Sequence, residues 1–296
     1  MKKKNLLLTG TSGFVGYEFL KYALSKKFNV VDILRSKNKK NLKIKKLKSK
    51  YKKNYKTIFF SNYRQLSKKI SRIKVDYFIN FATLYKNKHN HEDIFNFVES
   101  NILFPTLIYD LVHKRTSITI NFGSMMQHAD GKNYSPKNFY ASTKNAFEKI
   151  GNFYSLNNKK NKIYNIKLYE SYGANDKREK LIPTLLKNYK KNKITEILSK
   201  NLELNIIHIN DIIKAIMILL KNNIKPGSYC LRQNKNIKVY NLINIINKNL
   251  SKKIKVKYYN FLVPKIKKSK IKILPKWKPN AELIKKIKSE FIYEVN

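Results

Sequence analysis

The sequence predicts an α/β fold, in which a doubly wound parallel sheet carries a smaller C-terminal lobe. Short apolar runs alternate with stretches of helical spacing through the first 172 residues, as expected for a parallel sheet covered by helices. Glycines cluster directly after the first apolar run, and beyond Tyr172 the alternation loosens while prolines become frequent. We therefore expect a first domain over 1–172 and a lobe over 173–296, with segments about 205–240 returning to the first domain.

The strands are predicted from short apolar runs that end at glycine or at polar residues. These runs cover 5–9, 29–34, 57–60, 76–81, 117–122 and 163–169. Helical spacing predicts helices over 13–26, 92–114 and 139–155, and the lysine-dense stretch 37–56 is interpreted as a solvated helix face with a frayed loop. About seven mostly parallel strands are expected in all, with the ligand at their carboxyl ends.

The formal net charge of +46 comes almost entirely from lysine, since the chain has 58 lysines and six arginines. Nucleic-acid sites favour arginine, which makes bidentate contacts with bases and phosphates. The lysines accompany abundant Asn, Ile, Tyr and Phe, whose codons are rich in A and T. We therefore interpret the charge chiefly as composition bias and do not expect specific nucleic-acid binding. Attraction of small polyanionic substrates stays open as an alternative.

Two further features of the sequence indicate the cellular compartment of the protein. Cys230 is the single cysteine, so no intramolecular disulfide framework is expected and a reducing compartment is favoured. The apolar run near the N-terminus is too short for a signal peptide, and no run approaches the ~18 residues that cross a bilayer. We expect a soluble cytoplasmic protein without a membrane partner.

A phosphate-binding loop is the strongest local signal. Three of the eight glycines, Gly10, Gly13 and Gly16, lie within seven positions after the first strand. The first permits a tight turn, the second lets the backbone approach a pyrophosphate, and the third lets the helix pack closely on the sheet. The helix N-terminus that follows offers free N–H groups and the positive end of a dipole. The loop therefore predicts a dinucleotide-binding Rossmann domain.

The end of the second strand should select the cofactor. An acid there accepts hydrogen bonds from the adenosine ribose, whereas a nearby arginine suits a 2′-phosphate. The expected acid position is Leu34 and the next residue is Arg35, while Asp32 comes two residues too early and is expected to point elsewhere. We predict NADP, with NAD as the alternative, and surface charge as the alternative role of Arg35.

A Tyr-x-x-x-Lys pair, Tyr140 and Lys144, supplies the candidate chemistry. The spacing alone is not specific, because it occurs four times in this chain. Tyr140 stands out because it opens a helix shortly after a strand that ends at Gly123 and Ser124. The two residues share one helix face, so the ammonium is expected to lower the phenol pKa. Ser124 can hold a substrate carbonyl or hydroxyl in line with the phenol proton.

These residues resemble those of the extended short-chain dehydrogenase/reductases, specifically the NAD(P)-dependent sugar epimerase/dehydratase family. The glycine spacing is that of the extended type. Five further segments resemble the family in the family's order, namely 80–83, Asn101, 168–176, 207–212 and 277–279 followed by Leu283. The resemblance covers nearly the whole chain.

The resemblance implies an oxidoreductase whose C-terminal substrate lobe binds a nucleotide-diphosphate sugar. It implies Ser124, Tyr140 and Lys144 as the catalytic residues. The residues expected at the cofactor are Gly10, Ser12, Gly13, Phe14, Val15, Gly16, Arg35, Phe81, Ala82, Thr83, Asn101, Tyr140 and Lys144. The residues expected at the substrate are Ser124, Met125, Tyr172 and Arg178. No metal site is expected, and a homodimer stays open.

Departures from the family pattern narrow the expected reaction. Met125 and Met126 stand where the family's 4,6-dehydratases have an Asp-Glu pair, and Phe104-Pro105 and Glu170 replace residues usual in the epimerases. The chain thus resembles the branch that contains the 4-ketohexose reductases of CDP- and dTDP-deoxysugars. An NDP-sugar epimerase, or a catalytically idle NADP-binding module that binds a polyanion, are the alternatives.

Four other residues have a plainer interpretation. His89 and His91 form a loose pair without the further ligands of a metal site. His208 is expected to be a structural hydrogen-bonding residue, and Cys230 a small core residue. The lysines between 265 and 278 could contact a substrate pyrophosphate or simply be surface charge.

Overall fold

A computed structural model of the protein describes residues 4–248, 250–263, 265–267, 269–280 and 282–295. Within them the chain forms thirteen β-strands and ten α-helices, numbered here in chain order. The strands are β1 (Asn5–Thr9), β2 (Asn29–Arg35), β3 (Tyr55–Phe60), β4 (Tyr77–Asn80), β5 (Ile118–Ser124), β6 (Lys162–Leu168), β7 (Glu170–Tyr172), β8 (Thr195–Ile197), β9 (Glu203–Leu204), β10 (Ile206–His208), β11 (Gly227–Leu231), β12 (Ile237–Lys238) and β13 (Val256–Tyr258). The helices are α1 (Phe14–Ser25), α2 (Leu42–Lys50), α3 (Tyr63–Ser71), α4 (Asp93–Val98), α5 (Phe104–Val112), α6 (Phe139–Asn157), α7 (Leu181–Lys190), α8 (Ile209–Lys221), α9 (Val239–Asn247) and α10 (Leu283–Val295).

The central sheet has seven strands in the order β11-β6-β5-β4-β1-β2-β3, and every neighbouring pair is parallel. This confirms the predicted doubly wound α/β fold. The chain runs outward from β1 in one direction to β3 and then in the other direction through β4. The switch point therefore lies between β1 and β4, which is where such sheets bind ligands at their carboxyl ends.

One side of the sheet is an apolar face. Because side chains alternate along a strand, this side receives Leu6 and Leu8 from β1, Ile120 from β5 and Ile166 from β6, all of them buried. Buried residues of α1, α2 and α8 pack on them in one continuous core. We call this side the apolar face.

The opposite side has a different make-up under α5 and α6. A second apolar cluster, which includes Leu7, Phe78 and residues of α3 and α5, covers part of it. Between these apolar positions a row of buried polar side chains crosses four adjacent strands, each paired in register with the next. We call this the polar row, and its members are Thr9, Asn80, Asn121 and Asn165.

Side-chain hydrogen bonds join the polar row end to end. The Thr9 hydroxyl donates to Asn80 Oδ1 at 2.7 Å. The Asn80 amide donates to Asn121 Oδ1, and the Asn121 amide donates to Asn165 Oδ1, both at 3.2 Å. Burial of these amides is offset because each has a partner.

The helical stretch predicted over 92–114 is confirmed, since α4, a π-helical segment and α5 follow one another without a break. It is divided by a π-helical segment, Glu99–Leu103, between α4 and α5. Pro105 supplies the physical reason, because it has no backbone N–H to donate one turn back. Isolated π segments of this kind occur frequently at functional sites. The predicted helix over 37–56 ends earlier than expected, since α2 stops at Lys50 and Tyr55 begins β3.

The C-terminal part has a core of its own, which includes Leu185 of α7, Leu242 of α9 and Phe291 of α10. Small two-stranded pairings, β7 with β10 and β8 with β13, accompany it. Pro183, one of the prolines that follow Tyr172, lies in the first turn of α7, where its missing N–H costs no hydrogen bond. Strand β11 returns to the edge of the central sheet, and α8 packs on the apolar face.

Candidate active site

The loops that carry Gly10, Ala82 and Ser124 follow three neighbouring strands, β1, β4 and β5. Because these strands are parallel, their carboxyl ends and the loops lie along one edge of the sheet. The structure therefore gathers these three predicted site segments at the switch point.

The glycine loop has the shape that the motif requires. Gly10 has φ +73°, and a Cβ on it would come within 2.3 Å of the Ala82 backbone nitrogen, so no other residue fits there. Gly13 N–H donates to Gly10 O at 3.1 Å, and α1 begins at Phe14 without a side-chain cap. The N–H groups of its first turn are therefore available to an anion. This cradle fits the pyrophosphate of a dinucleotide.

Asp32 points toward the glycine loop. Its Oδ2 accepts hydrogen bonds from the Thr11 hydroxyl at 2.5 Å and from the Tyr55 hydroxyl at 2.8 Å, while its buried Oδ1 has no hydrogen-bond partner. Burial raises the pKa of this carboxyl to about 7. Asp32 lies on the same side of β2 as Val30 and Leu34, which are both buried in the core of the apolar face. It is thus an internal support of the loop.

Arg35, at the end of β2, forms an ion pair. Its guanidinium contacts Glu99 Oε2 at 2.8 Å and the Ser100 hydroxyl at 3.0 Å, and the Tyr63 hydroxyl donates to Glu99 Oε1 at 2.9 Å. Sequence analysis did not single out Glu99 or Tyr63. The available signal was weak, because Glu99 is 64 residues from Arg35 along the chain. The position expected to hold an acid, Leu34, is buried and apolar.

Asn101 organises the loop after β4. This fully buried side chain accepts from Leu84 N–H at 2.7 Å and donates to Leu84 O at 3.0 Å. Its amide also donates to the Thr143 hydroxyl of α6 at 2.9 Å, and the Thr83 hydroxyl donates to it at 3.3 Å. Asn101 therefore joins the loop of Thr83 to the helix of Tyr140 and Lys144.

The phenol of Tyr140 is held neutral. Burial raises the pKa of Tyr140 to about 12, partly opposed by a hydrogen bond with Thr83 and by the charge of Arg178. Burial likewise lowers the pKa of Lys144 to about 8, and the nearby Glu148 partly opposes that shift. The sequence predicted a phenol pKa lowered by Lys144; desolvation instead dominates, and the cation that opposes it is Arg178. At neutral pH the pair thus presents a proton donor beside an ammonium.

Ser124 ends β5 and caps a short 3₁₀ turn, Met125–Gln127. Its hydroxyl accepts from Met126 N–H at 3.2 Å, and its own N–H donates to Gln127 Oε1 at 2.9 Å. The next residue, Met125, is buried. The turn continues into a loop tied back by Lys137 N–H, which donates to Met126 O at 2.9 Å. Ser124 is thereby fixed next to the start of α6.

Two predicted substrate residues belong to the C-terminal part. Arg178 lies over the Phe14 ring at 4.7 Å, so it reaches the glycine loop, and it donates to Asp176 and to Ser171 O. Tyr172 is buried in the lobe core, with its ring 6.0 Å from that of His208, and borders a shallow pocket at Ser171 and Ile182. The structure thus brings Arg178 close to the cofactor loop and places Tyr172 deeper in the lobe.

The remaining candidates have structural surroundings. His208 accepts from Asn210 N–H at 3.0 Å and lies 3.0 Å from a Glu290 oxygen of α10. Cys230 is fully buried with a free thiol, and His89 stacks on Phe139 at 4.6 Å. Among the described residues, no three His, Cys, Asp or Glu side chains are grouped as metal ligands would be. No helix in the same residues is long and apolar enough to span a bilayer.

Comparison with known proteins adds two kinds of finding. The model of the NAD dependent epimerase/dehydratase family matches residues 6–231. A CDP-abequose synthase of Yersinia pseudotuberculosis is 27% identical over 238 residues, which covers 79% of this chain and 78% of that protein. A CDP-abequose synthase of Salmonella muenchen is 24% identical over 86% of this chain and 84% of its own length.

Solved structures share the fold at low identity. A UDP-glucuronic acid 4-epimerase of Bacillus cereus, in complex with UDP-glucuronic acid and NAD, superposes with a TM-score of 0.81 at 18% identity, covering 98% of both chains. A UDP-N-acetylglucosamine 4-epimerase of Methanobrevibacter ruminantium gives 0.82 at 17% identity, covering 99% of this chain and 98% of its own.

Proposed function

The chain belongs to the NAD dependent epimerase/dehydratase family, and from that premise we propose that it reduces the 4-keto group of a nucleotide-linked deoxysugar with NADPH. The observation that carries this proposal is the neutral phenol of Tyr140 beside Lys144, with Ser124 fixed at the adjoining strand end. A neutral phenol is the form that can give a proton.

In the proposed mechanism the substrate carbonyl oxygen lies between Ser124 and Tyr140. The Ser124 hydroxyl donates a hydrogen bond to that oxygen and orients the carbonyl. The reduced nicotinamide, when bound, supplies the hydride for the carbonyl carbon. Tyr140 gives its proton to the oxygen as negative charge develops there, so the carbonyl becomes a hydroxyl. The Lys144 ammonium stabilises the resulting phenolate until solvent reprotonates it.

Two arguments support reduction over dehydration or epimerisation. The similarity to CDP-abequose synthases extends over more than three quarters of the chain. Met125 and Met126 have no titratable group, whereas elimination of water needs an acid and a base at the sugar. Epimerisation remains the second candidate, because the structural neighbours include 4-epimerases. An epimerase would use the same tyrosine but would regenerate its cofactor within each turnover.

NADP is our proposed cofactor, with Arg35 as the partner of the 2′-phosphate. The absence of an acid at Leu34 supports this choice. The Arg35–Glu99 ion pair weakens the expected preference for NADP, because the carboxylate occupies one side of the guanidinium. Glu99 would also repel a 2′-phosphate. We propose that the ion pair reduces the ratio of NADP affinity to NAD affinity, and that NADP still binds more tightly than NAD.

We also propose that the protein forms a homodimer through α4 and α6. Three large apolar side chains on these helices, Phe95, Phe153 and Leu156, are 74%, 61% and 80% exposed. The two helices are neighbours in the fold, and exposed apolar side chains on adjacent helices indicate an interface. Light scattering should report a dimer, and Phe95→Lys with Leu156→Lys should yield a monomer. A monomeric wild type would contradict this part of the proposal.

The reaction is tested with a panel of nucleotide-4-keto-6-deoxysugars while NADPH absorbance is followed. We expect stoichiometric NADPH loss with one member, reduced about 100- to 10,000-fold by Tyr140→Phe. Tyr22→Phe is the matched control, because Tyr22 of α1 and Lys26 at the C-terminal cap of that helix have the same spacing. Interconversion of two sugars without net NADPH loss would establish the epimerase instead.

A further inference from the structure

Glu148 lies on α6 one helical turn beyond Lys144 and two beyond Tyr140, so the three share one face. Its carboxylate accepts three hydrogen bonds from three other elements. The donors are Gln127 Nε2 at 2.9 Å, Lys167 Nζ of β6 at 2.6 Å and the Ser228 hydroxyl of β11 at 2.7 Å. None of these contacts was anticipated from the sequence, and the proposed mechanism does not use them.

Gln127 extends this network to Ser124. Its side-chain oxygen accepts the Ser124 N–H while its amide donates to Glu148, and the side chain is fully buried. Gly123 makes the arrangement possible, because a Cβ on it would come within 2.5 Å of Gln127 Oε1. The catalytic helix and the Ser124 turn are therefore connected by one glutamine.

The Glu148 carboxylate interacts with two buried ammonium groups. Lys144 and Lys167 are each only 2% exposed, and the carboxylate of Glu148 lies near both. Burial acts to raise the pKa of Glu148, but the charge of Lys167 and the hydrogen bonds to the carboxylate hold that pKa below its usual range. The other titratable groups nearby are His128, whose pKa is lowered chiefly by burial and by Lys167, and Asp130, which acts on His128. Lys144 thus depends on a carboxylate that it shares with a second buried ammonium.

We propose that Glu148 is a positioning residue. It fixes Ser124 through Gln127 and keeps Lys144 protonated, while the charge of Lys167 partly offsets the effect of the Glu148 charge on Lys144. This rests on the proposed function, since it assumes that Lys144 and Ser124 serve the reaction. The charged form of Lys144 is the stronger donor to cofactor hydroxyls, and it is the form that stabilises a phenolate. Glu148 would therefore set the pH range over which the site operates.

The test is the pH dependence of NADPH affinity, measured by fluorescence titration from pH 6 to 10 without any sugar. We expect affinity to fall as Lys144 loses its proton, with a midpoint specific to each variant. Glu148→Gln should move that midpoint about one pH unit lower, and Lys167→Met about one unit higher. Ser228→Ala removes a hydrogen bond to Glu148 without changing any charge, and it should leave the midpoint in place.

A role limited to folding would weaken binding in these variants without moving the midpoints in opposite directions, and that result would overturn the proposal. A wild type without a midpoint would also overturn it. Lys167→Met leaves a buried carboxylate unpaired and could unfold the protein. The double variant Glu148→Gln/Lys167→Met removes both charges, and because their effects on Lys144 oppose each other, its midpoint should lie between those of the two single variants.

The Ser124 part has its own variant. Gln127→Leu breaks the link between Ser124 and Glu148, and we expect kcat to fall about tenfold while the NADPH midpoint stays at the wild-type pH. An unchanged kcat would contradict the positioning of Ser124. If no sugar of the panel is reduced, the proposed reaction fails, whereas the midpoint shifts still decide the role of Glu148.

Discussion

On the apolar face, β1, β5 and β6 present leucine and isoleucine to α1 and α8, whereas under α5 and α6 the same strands present the polar row. On the first side, burial of apolar area stabilises the fold and the contacts are not directional. On the second side, each amide needs its particular partner, so register and orientation matter. The side that carries α6, with Tyr140 and Lys144, adds these directional contacts to its apolar cluster.

The same contrast extends toward the site. Lys167 follows Asn165 on the same side of β6 and pairs with Glu148 of α6. Charge pairs and amide rows contribute little net stability compared with an apolar core of equal volume. They do fix where a helix lies relative to a sheet. We infer that stability and positioning are divided between the two sides of the sheet.

The largest expected effect is on the apolar face. Leu219 of α8 is fully buried there, and Leu219→Ala should lower the free energy of unfolding by about 2 to 5 kcal/mol, because it leaves a cavity. Lys214→Ala, on the exposed side of α8, should change it by less than about 0.5 kcal/mol. Denaturant titration measures both, and kcat should be unchanged at temperatures where Leu219→Ala is folded. Equal effects of the two variants would refute this view of α8.

A smaller loss is expected in the polar row. Asn121→Leu leaves the Asn80 amide and the Asn165 oxygen unpartnered, which should cost about 2 to 4 kcal/mol. Ile120→Leu, the neighbouring change on the apolar face, should cost less than about 1.5 kcal/mol. Chemical denaturation compares the pair. If Ile120→Leu proved the more damaging, the distinction between the two sides would not hold.

Asp32 is an acid on the apolar face, and its effect depends on pH. Its pKa is about 7 when folded against a usual 3.8, so the folded protein binds the extra proton between these values and stability falls as pH rises from about 4 to 7. Asp32→Asn removes this slope. The variant should match wild type near pH 4 and exceed it by on the order of 2 kcal/mol at pH 7.5. Parallel stability profiles for the two proteins would contradict the raised pKa.

The smallest effect concerns the cofactor end of the site. Glu99→Gln removes the charge that pairs with Arg35, and we expect NADP to bind about two- to fivefold more tightly with NAD affinity unchanged. Tyr63→Phe removes a hydrogen bond to Glu99 while keeping its charge, so it should have little effect. Calorimetry with both cofactors measures the ratio. Weaker NADP binding by Glu99→Gln would mean that Glu99 supports the 2′-phosphate through Arg35.

The features that could be predicted from the sequence are those that are local along the chain. Six predicted strands overlap β1 to β6, and the glycine loop and the start of α6 lie where their motifs indicate. These features depend on periodicity and on neighbours a few residues apart. The polar row was not predicted, since an asparagine in a strand could equally face solvent until the helix above it is known. Helix α3 was missed although Asn62 caps it, because its only buried apolar residues are Leu66 and Ile70.

Side-chain partners at long range account for most of what the sequence did not indicate. Glu99 contacts Arg35 across 64 positions, and Glu148 contacts Ser228 across 80. The lowered phenol pKa was expected from the spacing of Tyr140 and Lys144 alone, but the pKa depends on desolvation, which no local pattern reveals. The π segment at Asn101 likewise depends on packing against Thr143 as well as on Pro105.

The polar row also bears on how this protein can change over generations. Asparagine and lysine are among the residues that an A- and T-rich coding bias makes abundant, and at most surface positions they can be exchanged freely. Asn80, Asn121 and Asn165 cannot be exchanged in this way, because replacing any one of them removes a hydrogen-bond partner from a buried polar side chain beside it. An apolar residue can replace one of these asparagines at little cost only when its hydrogen-bond partners are also replaced by apolar residues. Single substitutions that are neutral on the lysine-covered surface are therefore costly beneath α6, where the polar row lies.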